Sequence, residues 1–430
     1  MHELTQNLWE RYGFSANPFD TRALSLSQGA WLSVNNAYVS RKKGVEEASV
    51  LTNFFRNPGG GRIVVEGEPG VGKTTFVNFH RHLWESEATD RLLTPPTEIS
   101  IQEYWGERDF LLNLMSALMA RLRLDLGEKR FSKDRLLKEI TAICGVLITK
   151  DGGFSIGGQA LGTGVSLGKT SNKKIQIGDL TNHHLRQYFS LLVQQAKKQK
   201  NVVGVTYHFN NLELLGQKGP DFMRSLFEKI RDVLQEPDVY FVFVGYKGMF
   251  QQVIVPSERV RSIFFDTPVY LNPLDFEEIK SIIERRYELL ALPDKKWIRP
   301  VDEKVVLHLN HIFSGKIRYV MNAITTLINR IPESYSQSLG VEKALEILSS
   351  LLASELRKNL PEEAARMFFI AIELRRFTNS SYVKISGKSK QSVNKYIRLF
   401  LKYEYIHLTE IVGRNRFYEI DPRFLVLAKP

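Results

Sequence analysis

The sequence predicts an α/β protein: a parallel sheet carrying a phosphate-binding loop, then an all-helical region, then a small basic module of helices and a β-hairpin. Three observations predict it. The run GEPGVGKTT, Gly67 to Thr75, stands between an apolar strand pattern and a helical one. Short apolar runs alternate with helical stretches from Arg62 to Leu271. From Pro361 the pattern reads helix, helix, helix, hairpin.

Taken in order, residues 1–46 form an aromatic-rich extension with Trp9, Tyr12, Phe14, Phe19 and Trp31, expected to pack on the domain that follows. A helix is expected near Val45, where VEEASVLTNFF has apolar residues at helical spacing, and Pro58-Gly59-Gly60-Gly61 breaks it. Expected strands are IVVE (63–66), TEISI (97–101), VVGVTYHF (202–209), VYFVFV (239–244) and PVYL (268–271). Their alternation with helices such as RDFLLNLMSALMARLRL (108–124) argues for a parallel sheet, so 47–272 reads as one nucleotide-binding domain. Within it, 150–175 reads as an inserted glycine-rich hairpin, since seven of residues 152–168 are glycine. Asp275, with Glu277 and Glu278 behind it, starts a helical lid over 273–358.

Composition narrows the classes. At about 100–200 residues per domain, 430 residues suggest two to four domains. The single Cys144 excludes an intramolecular disulfide and a cysteine-rich zinc site. The opening MHELTQNLWERYGF lacks a secretory pattern, and no apolar run approaches the ~20 residues of a membrane span. A cytoplasmic protein without a membrane partner is therefore expected. The net charge is +12 and the pI about 9.5, which favours polyanionic partners. Residues 361–430 hold 13 Lys and Arg against 7 Asp and Glu, a net of +6 and thus half the excess. That concentration points to a localised surface for DNA.

The loop at Gly67, Glu68, Pro69, Gly70, Val71, Gly72, Lys73, Thr74 and Thr75 matches the full phosphate-loop pattern. Glycines let backbone N–H groups turn in around a phosphate, and the helix that follows adds the positive end of its dipole. Lys73 suits the β- and γ-phosphates of ATP, and the Thr74 hydroxyl suits Mg²⁺. The acidic pair that ends a later strand in hydrolytic P-loop proteins is here Asn210-Asn211, followed by Leu212 and Glu213. An amide accepts hydrogen bonds from a metal-bound water but brings no charge and cannot act as a general base. Glu213 is the nearest carboxylate, with Glu66 and Glu68 beside the loop. The residues leave weak or partner-stimulated hydrolysis and non-hydrolysing ATP binding both open. His208 reads as a packed strand residue.

The order of P-loop, NNLE, VYFVFVG, SERVRSIFFDTPVYLNPLDFEEI and SGKIRYVMNAI resembles the initiator-type AAA+ ATPases, the origin-recognition and helicase-loader proteins, and related bacterial ATPases of transposition and defence. The opening RYGFSANPFD is similar to the start of the transposition-linked group. The resemblance implies an AAA+ sheet with a helical lid and an ATP-dependent oligomer. It implies that Arg318 senses the γ-phosphate and that Arg259 or Arg261 reaches a neighbouring subunit's nucleotide. A guanidinium suits both tasks because it stays charged and grips phosphate oxygens as a fork.

Residues 359–430 read as a winged helix. PEEAARMFFIAIELRRF, NSSYVKISG and SKQSVNKYIRLFLKYEYI supply three helices, with Gly387 ending the second and Ser389 capping the third. Val393, Ile397 and Leu401 are expected on its apolar face. Its polar face carries the candidate DNA contacts Lys390, Gln391, Asn394, Lys395 and Arg398, and Arg414 and Arg416 sit at the hairpin wing. Three functions fit these residues. One is a DNA-recruiting or remodelling ATPase with self-assembly or protein partners. The others are a non-hydrolysing ATP switch and an ATP-sensing transcription regulator whose winged helix makes protein contacts.

Overall fold

Isoleucine and valine at 63–65, flanked by a glycine-rich turn and the phosphate loop, form the strand around which the sheet is built. This strand, β1 (Gly60–Gly67), is buried on both faces, as a central parallel strand requires. The structure is a computed structural model describing residues 7–26, 31–42, 45–144, 180–216, 218–332, 334–412 and 415–428. The glycine-rich insertion of 150–175 lies outside the described residues.

By contacts the chain forms two compact units, Ala23–Asn272 and Met1–Arg22 with Pro273–Pro430. The first holds β1, β2 (Arg91–Leu93), β3 (Ile99–Ser100), β4 (Val202–Asn210), β5 (Val239–Val244) and β6 (Val269–Leu271). The sheet order is β2-β4-β5-β1-β6, with β3 also on β4, and every pairing is parallel. β5 lies beside β1 in the register Ile63 to Val242 and Val65 to Val244. VYFVFV appears with the expected boundaries, three other expected strands appear with boundaries moved by one to three residues, and TEISI contributes only Ile99–Ser100. β2 was not expected, because its three residues run straight into Thr94-Pro95-Pro96 and show no period.

One face of the sheet packs against the helix Glu107–Phe131, whose Phe110, Leu114, Leu118 and Leu122 are buried. Phe110 stacks on Phe209 of β4 at 5.2 Å. The other face receives Phe54, Phe55, Phe76 and Val77 from the helices Val45–Arg56 and Lys73–His82. The phosphate loop leaves the sheet at the C-terminal end of β1, the end where open α/β sheets place their ligands.

The aromatic-rich extension does not act as one piece. Residues 7–22 pack with the unit of 273–430, and the residues from Ala23 onward belong to the sheet unit. The reason is aromatic burial: Phe14 stacks on Tyr287 at 5.0 Å, and Phe19 meets the same ring edge-on at 5.8 Å. Arg286, buried, donates to the Pro18 and Asp20 carbonyls at 3.1 and 2.7 Å and holds the NPFD turn. The helix at Phe276–Leu290 begins as expected, with Asp275 accepting the Glu278 N–H at 2.9 Å. Among the described residues no helix is long and apolar enough to cross a membrane.

The C-terminal residues form the helices Glu362–Leu374, Asn379–Ser386 and Lys390–Lys402, with strands β7 (Arg376–Thr378), β8 (Ile406–Val412) and β9 (Asn415–Ile420). The three strands make an antiparallel sheet in the order β7-β9-β8. Gly387 stops the second helix at φ 65°, and Ser389 accepts the Ser392 N–H at 3.2 Å to start the third. Val393 and Ile397 are buried as expected, but Leu401 is exposed and Phe400 takes its place in the core. At 3.6 residues per turn an i, i+4, i+8 series drifts off a face, and i+7 returns to it. Phe400 meets Phe368 at 5.0 Å, and Phe368 also meets Phe424 at 5.1 Å. Phe400→Ala is expected to cost about 3–5 kcal/mol, whereas Leu401→Ala is expected to stay within about 0.5 kcal/mol. Denaturant unfolding of the two variants distinguishes these faces.

Candidate functional site

β1 ends at Gly67 and the helix Lys73–His82 begins six residues later, so the loop between them must reverse direction in very little chain. It does so through left-handed backbone at Gly70 (φ 84°) and Gly72 (φ 92°). A Cβ on Gly72 would meet nothing within 4 Å, so space lies open beside the loop. Glycine is there for its backbone angle. The N–H groups of the helix's first turn have no partner from a preceding helical turn, which makes this end an anion cradle.

Lys73 is buried, with 6% exposure, and folds back over the loop. Its ammonium donates to the Gly67 carbonyl at 2.9 Å and the Glu68 carbonyl at 3.0 Å, and pairs with Glu213 at 3.0 Å. Thr74 donates its hydroxyl to Asn210 Oδ1 at 3.2 Å, from the first turn of the helix to the end of β4. That bond takes up the hydroxyl hydrogen and leaves the Thr74 oxygen lone pairs for a metal ion. Among the described residues no cluster of three or more His, Cys, Asp or Glu is placed to bind a metal by itself. A cation here would rest on Thr74 and on phosphate oxygens.

Asn211 follows in left-handed conformation, φ 61°, which asparagine tolerates better than most residues. Its amide donates to the Ser100 hydroxyl at 3.3 Å, so neither asparagine offers a base. The turn delivers Glu213, in the short helix Leu212–Gly216, to Lys73. Glu213, one of the three carboxylates that the sequence put near the loop, forms an ion pair with the lysine.

Glu66 has a different task. Its buried carboxylate accepts the Gly248 N–H at 3.0 Å and the Phe250 N–H, tying the chain after β5 to the foot of the phosphate loop. Burial raises its pKa, against the opposing pull of those two N–H donors and of Lys73. Thr75 also faces inward: its hydroxyl oxygen accepts the Leu24 N–H at 3.3 Å.

A buried cluster beneath the helix escaped sequence reasoning. Arg81, 1% exposed, donates to Thr94 Oγ1 at 2.7 Å, Asn78 Oδ1 at 3.0 Å and the Pro95 carbonyl at 2.5 Å. It lies 3.3 Å from His208 Nδ1. Burial first, and Arg81 second, push the His208 pKa down to about 3, so this histidine is neutral and packed. Asn78 donates to the Leu24 carbonyl at 2.9 Å, which fastens the incoming chain to the helix. The one signal in the sequence was position: Arg81 shares a helix face with Val77 and Asn78, where an exposed arginine would not stand.

The remaining candidates fall elsewhere. Arg259 and Arg261 are exposed on the four-residue helix Glu258–Arg261, anchored by buried Val260. Arg318 is exposed in the first turn of the helix Ile317–Ile328, in the other unit. Lys390, Gln391, Asn394, Lys395 and Arg398 are all exposed along one face of their helix, and Arg416 is exposed at the hairpin. Arg414 lies outside the described residues. Asn394 Oδ1 accepts the Asn379 amide at 2.6 Å, so its own NH₂ is the end left to face outward.

No family model and no curated protein matches the chain. Solved structures do. The chain is similar to the Aeropyrum pernix ORC2 protein (ADPNP–ADP complexes), at 12% identity and TM-score 0.47 over 96% of each chain. It is similar to the Aeropyrum pernix ORC1 protein in complex with DNA, at 14% identity and TM-score 0.43 over 90% of this chain and 92% of that one. Domain III of the Thermotoga maritima replication initiation protein DnaA matches at 15% identity and TM-score 0.37, over 74% of this chain and 95% of that one. The chain's own sheet order and phosphate loop define it as a P-loop α/β fold.

Glu66→Ala would leave two backbone N–H donors without their acceptor, a loss expected to cost about 2–4 kcal/mol. Glu66→Gln, which keeps an acceptor oxygen, is expected to recover part of it; thermal unfolding of both variants checks the ranking.

Proposed function

We propose that this protein is an AAA+-type ATP-binding protein that binds ATP with Mg²⁺ at the Gly67–Thr75 loop and duplex DNA through a C-terminal winged helix, and that ATP promotes its assembly with copies of itself or partners. The observation that carries the nucleotide reading is the junction of Lys73, Thr74 and Asn210. A buried ammonium and a hydroxyl with oriented lone pairs stand at the mouth of an open glycine loop. Gly67, Glu68, Pro69, Gly70, Val71 and Gly72 would supply the cradle, Lys73 the charge against the β- and γ-phosphates, and Thr74 the metal contact. ATP bound there carries the phosphoanhydride chemistry. The chain's own residues bind and orient it, and Asn210 and Asn211 bring no general base.

Turnover on this reading is slow, with Glu213 the carboxylate best placed to assist. Arg259 or Arg261 is suited to reach a neighbour's nucleotide, and Arg318 to read the γ-phosphate. The DNA reading is supported by five exposed polar side chains on the helix Lys390–Lys402 and by the net +6 of residues 361–430.

Lys73→Ala is expected to abolish ATP binding measured by calorimetry on the full chain. Near wild-type affinity in that variant would overturn the nucleotide reading. For DNA, if about four cations contact phosphates, log K is expected to fall with log salt at a slope of roughly −3 to −4. Lys395→Ala with Arg398→Ala should weaken binding to every sequence and flatten that slope, whereas Gln391→Ala should change preference among sequences. Fluorescence anisotropy across a salt series checks both. Binding without salt dependence would favour the protein-contact reading of the winged helix.

A further inference from the structure

The Lys73 ammonium has three N–H donors, and among the protein oxygens around it are the carbonyls of Gly67 and Glu68 and the carboxylate of Glu213. A phosphate arriving in the loop competes with these oxygens for Lys73. The two carbonyls belong to the backbone of the loop itself. Glu213 is the mobile partner, a side chain 29% exposed on a five-residue helix. It is also the partner a phosphate repels, since both are anions.

We infer that Glu213 is a built-in phosphate mimic, a carboxylate that competes with the nucleotide for Lys73 and, when displaced, moves the segment 211–216. The inference rests on the nucleotide reading above and assigns Glu213 a role against binding rather than in support of it.

The surroundings of Glu213 fit a latch. Leu212 and Leu215 are buried and hinge the helix on the core, while Leu214, next to Glu213, points outward at 64% exposure. Asn211, in left-handed conformation, gives the segment a turn at one end. At the other end the Tyr246 ring occupies the place of a side chain on Gly216, where a Cβ would come within 2.4 Å of it. The segment is therefore bounded by a turn on one side and an aromatic stop on the other, with the Lys73–Glu213 ion pair between them. A change in who holds Lys73 is carried to the surface at Leu214.

The sign of the effect separates this role from a structural or catalytic one. Glu213→Gln removes the competing charge and keeps the shape, so it should tighten binding of MgADP and of a non-hydrolysable ATP analogue, by about three- to tenfold for a partly exposed ion pair. Calorimetry on the full chain reads this directly. Unchanged or weaker binding in Glu213→Gln, with wild type binding normally, overturns the inference and leaves the nucleotide reading intact. Absence of nucleotide binding in wild type overturns both. A second measurement does not depend on that variant folding well. A spin label on Leu214→Cys, in a Cys144→Ser background, should gain mobility when wild-type Glu213 is displaced by MgADP. A spectrum that nucleotide leaves unaltered overturns the latch.

Discussion

A lysine ammonium withdrawn from water must be surrounded by oxygen atoms or lose its charge, and Lys73 meets that demand at the first turn of the helix after β1. Much of the sheet unit can be traced to it. β1 must end where the Gly67 and Glu68 carbonyls turn toward the ammonium, and β4 must end where Glu213 can reach it. β1 and β4 are not neighbours, since β5 lies between them. The register of three parallel strands therefore sets a distance of a few ångströms between a lysine and a glutamate 140 residues apart in the chain.

The polar groups around this junction divide into those that hold the frame and those that face a ligand. Glu66, Thr75, Asn78, Arg81 and His208 are turned into the protein and spend their hydrogen bonds on backbone, on each other and on the side chains of Thr94 and Glu98. Such a cluster is costly unless nearly every donor and acceptor is met, and here it fastens the incoming chain at Leu24 to the helix that carries the loop. Lys73, Thr74, Asn210 and Glu213 form the other set. Their bonds join the first turn of the helix Lys73–His82 to the end of β4 and to the short helix that follows it.

The C-terminal module depends on a different balance. Its core is aromatic, with Phe368 at the centre of Phe400, Tyr405 and Phe424. Such rings bury much area per residue, which lets a short segment close a core while the opposite helix face stays mostly polar. The thirteen-residue helix thus turns Val393, Ile397 and Phe400 inward and Lys390, Gln391, Asn394, Lys395 and Arg398 outward.

The phosphate loop was legible by itself because its chemistry is local: glycines, lysine and threonine at set spacing leave one workable backbone. The helix starts at Asp275 and Ser389 were legible for the same reason, since a cap involves only three or four residues. Strands with several apolar residues in a row could be located, whereas Arg91–Leu93 could not, because three residues carry no period. Leu401 was placed on the wrong face by an i+4 series that drifts against a 3.6-residue turn, and only packing against Phe368 brings Phe400 inward. The division of the first 46 residues at Arg22, the burial of Arg81 and the meeting of Glu213 with Lys73 were decided by tertiary structure alone. Each joins residues far apart in the chain, and no spacing in a sequence records which side chains a sheet's strand order will bring within 3 Å.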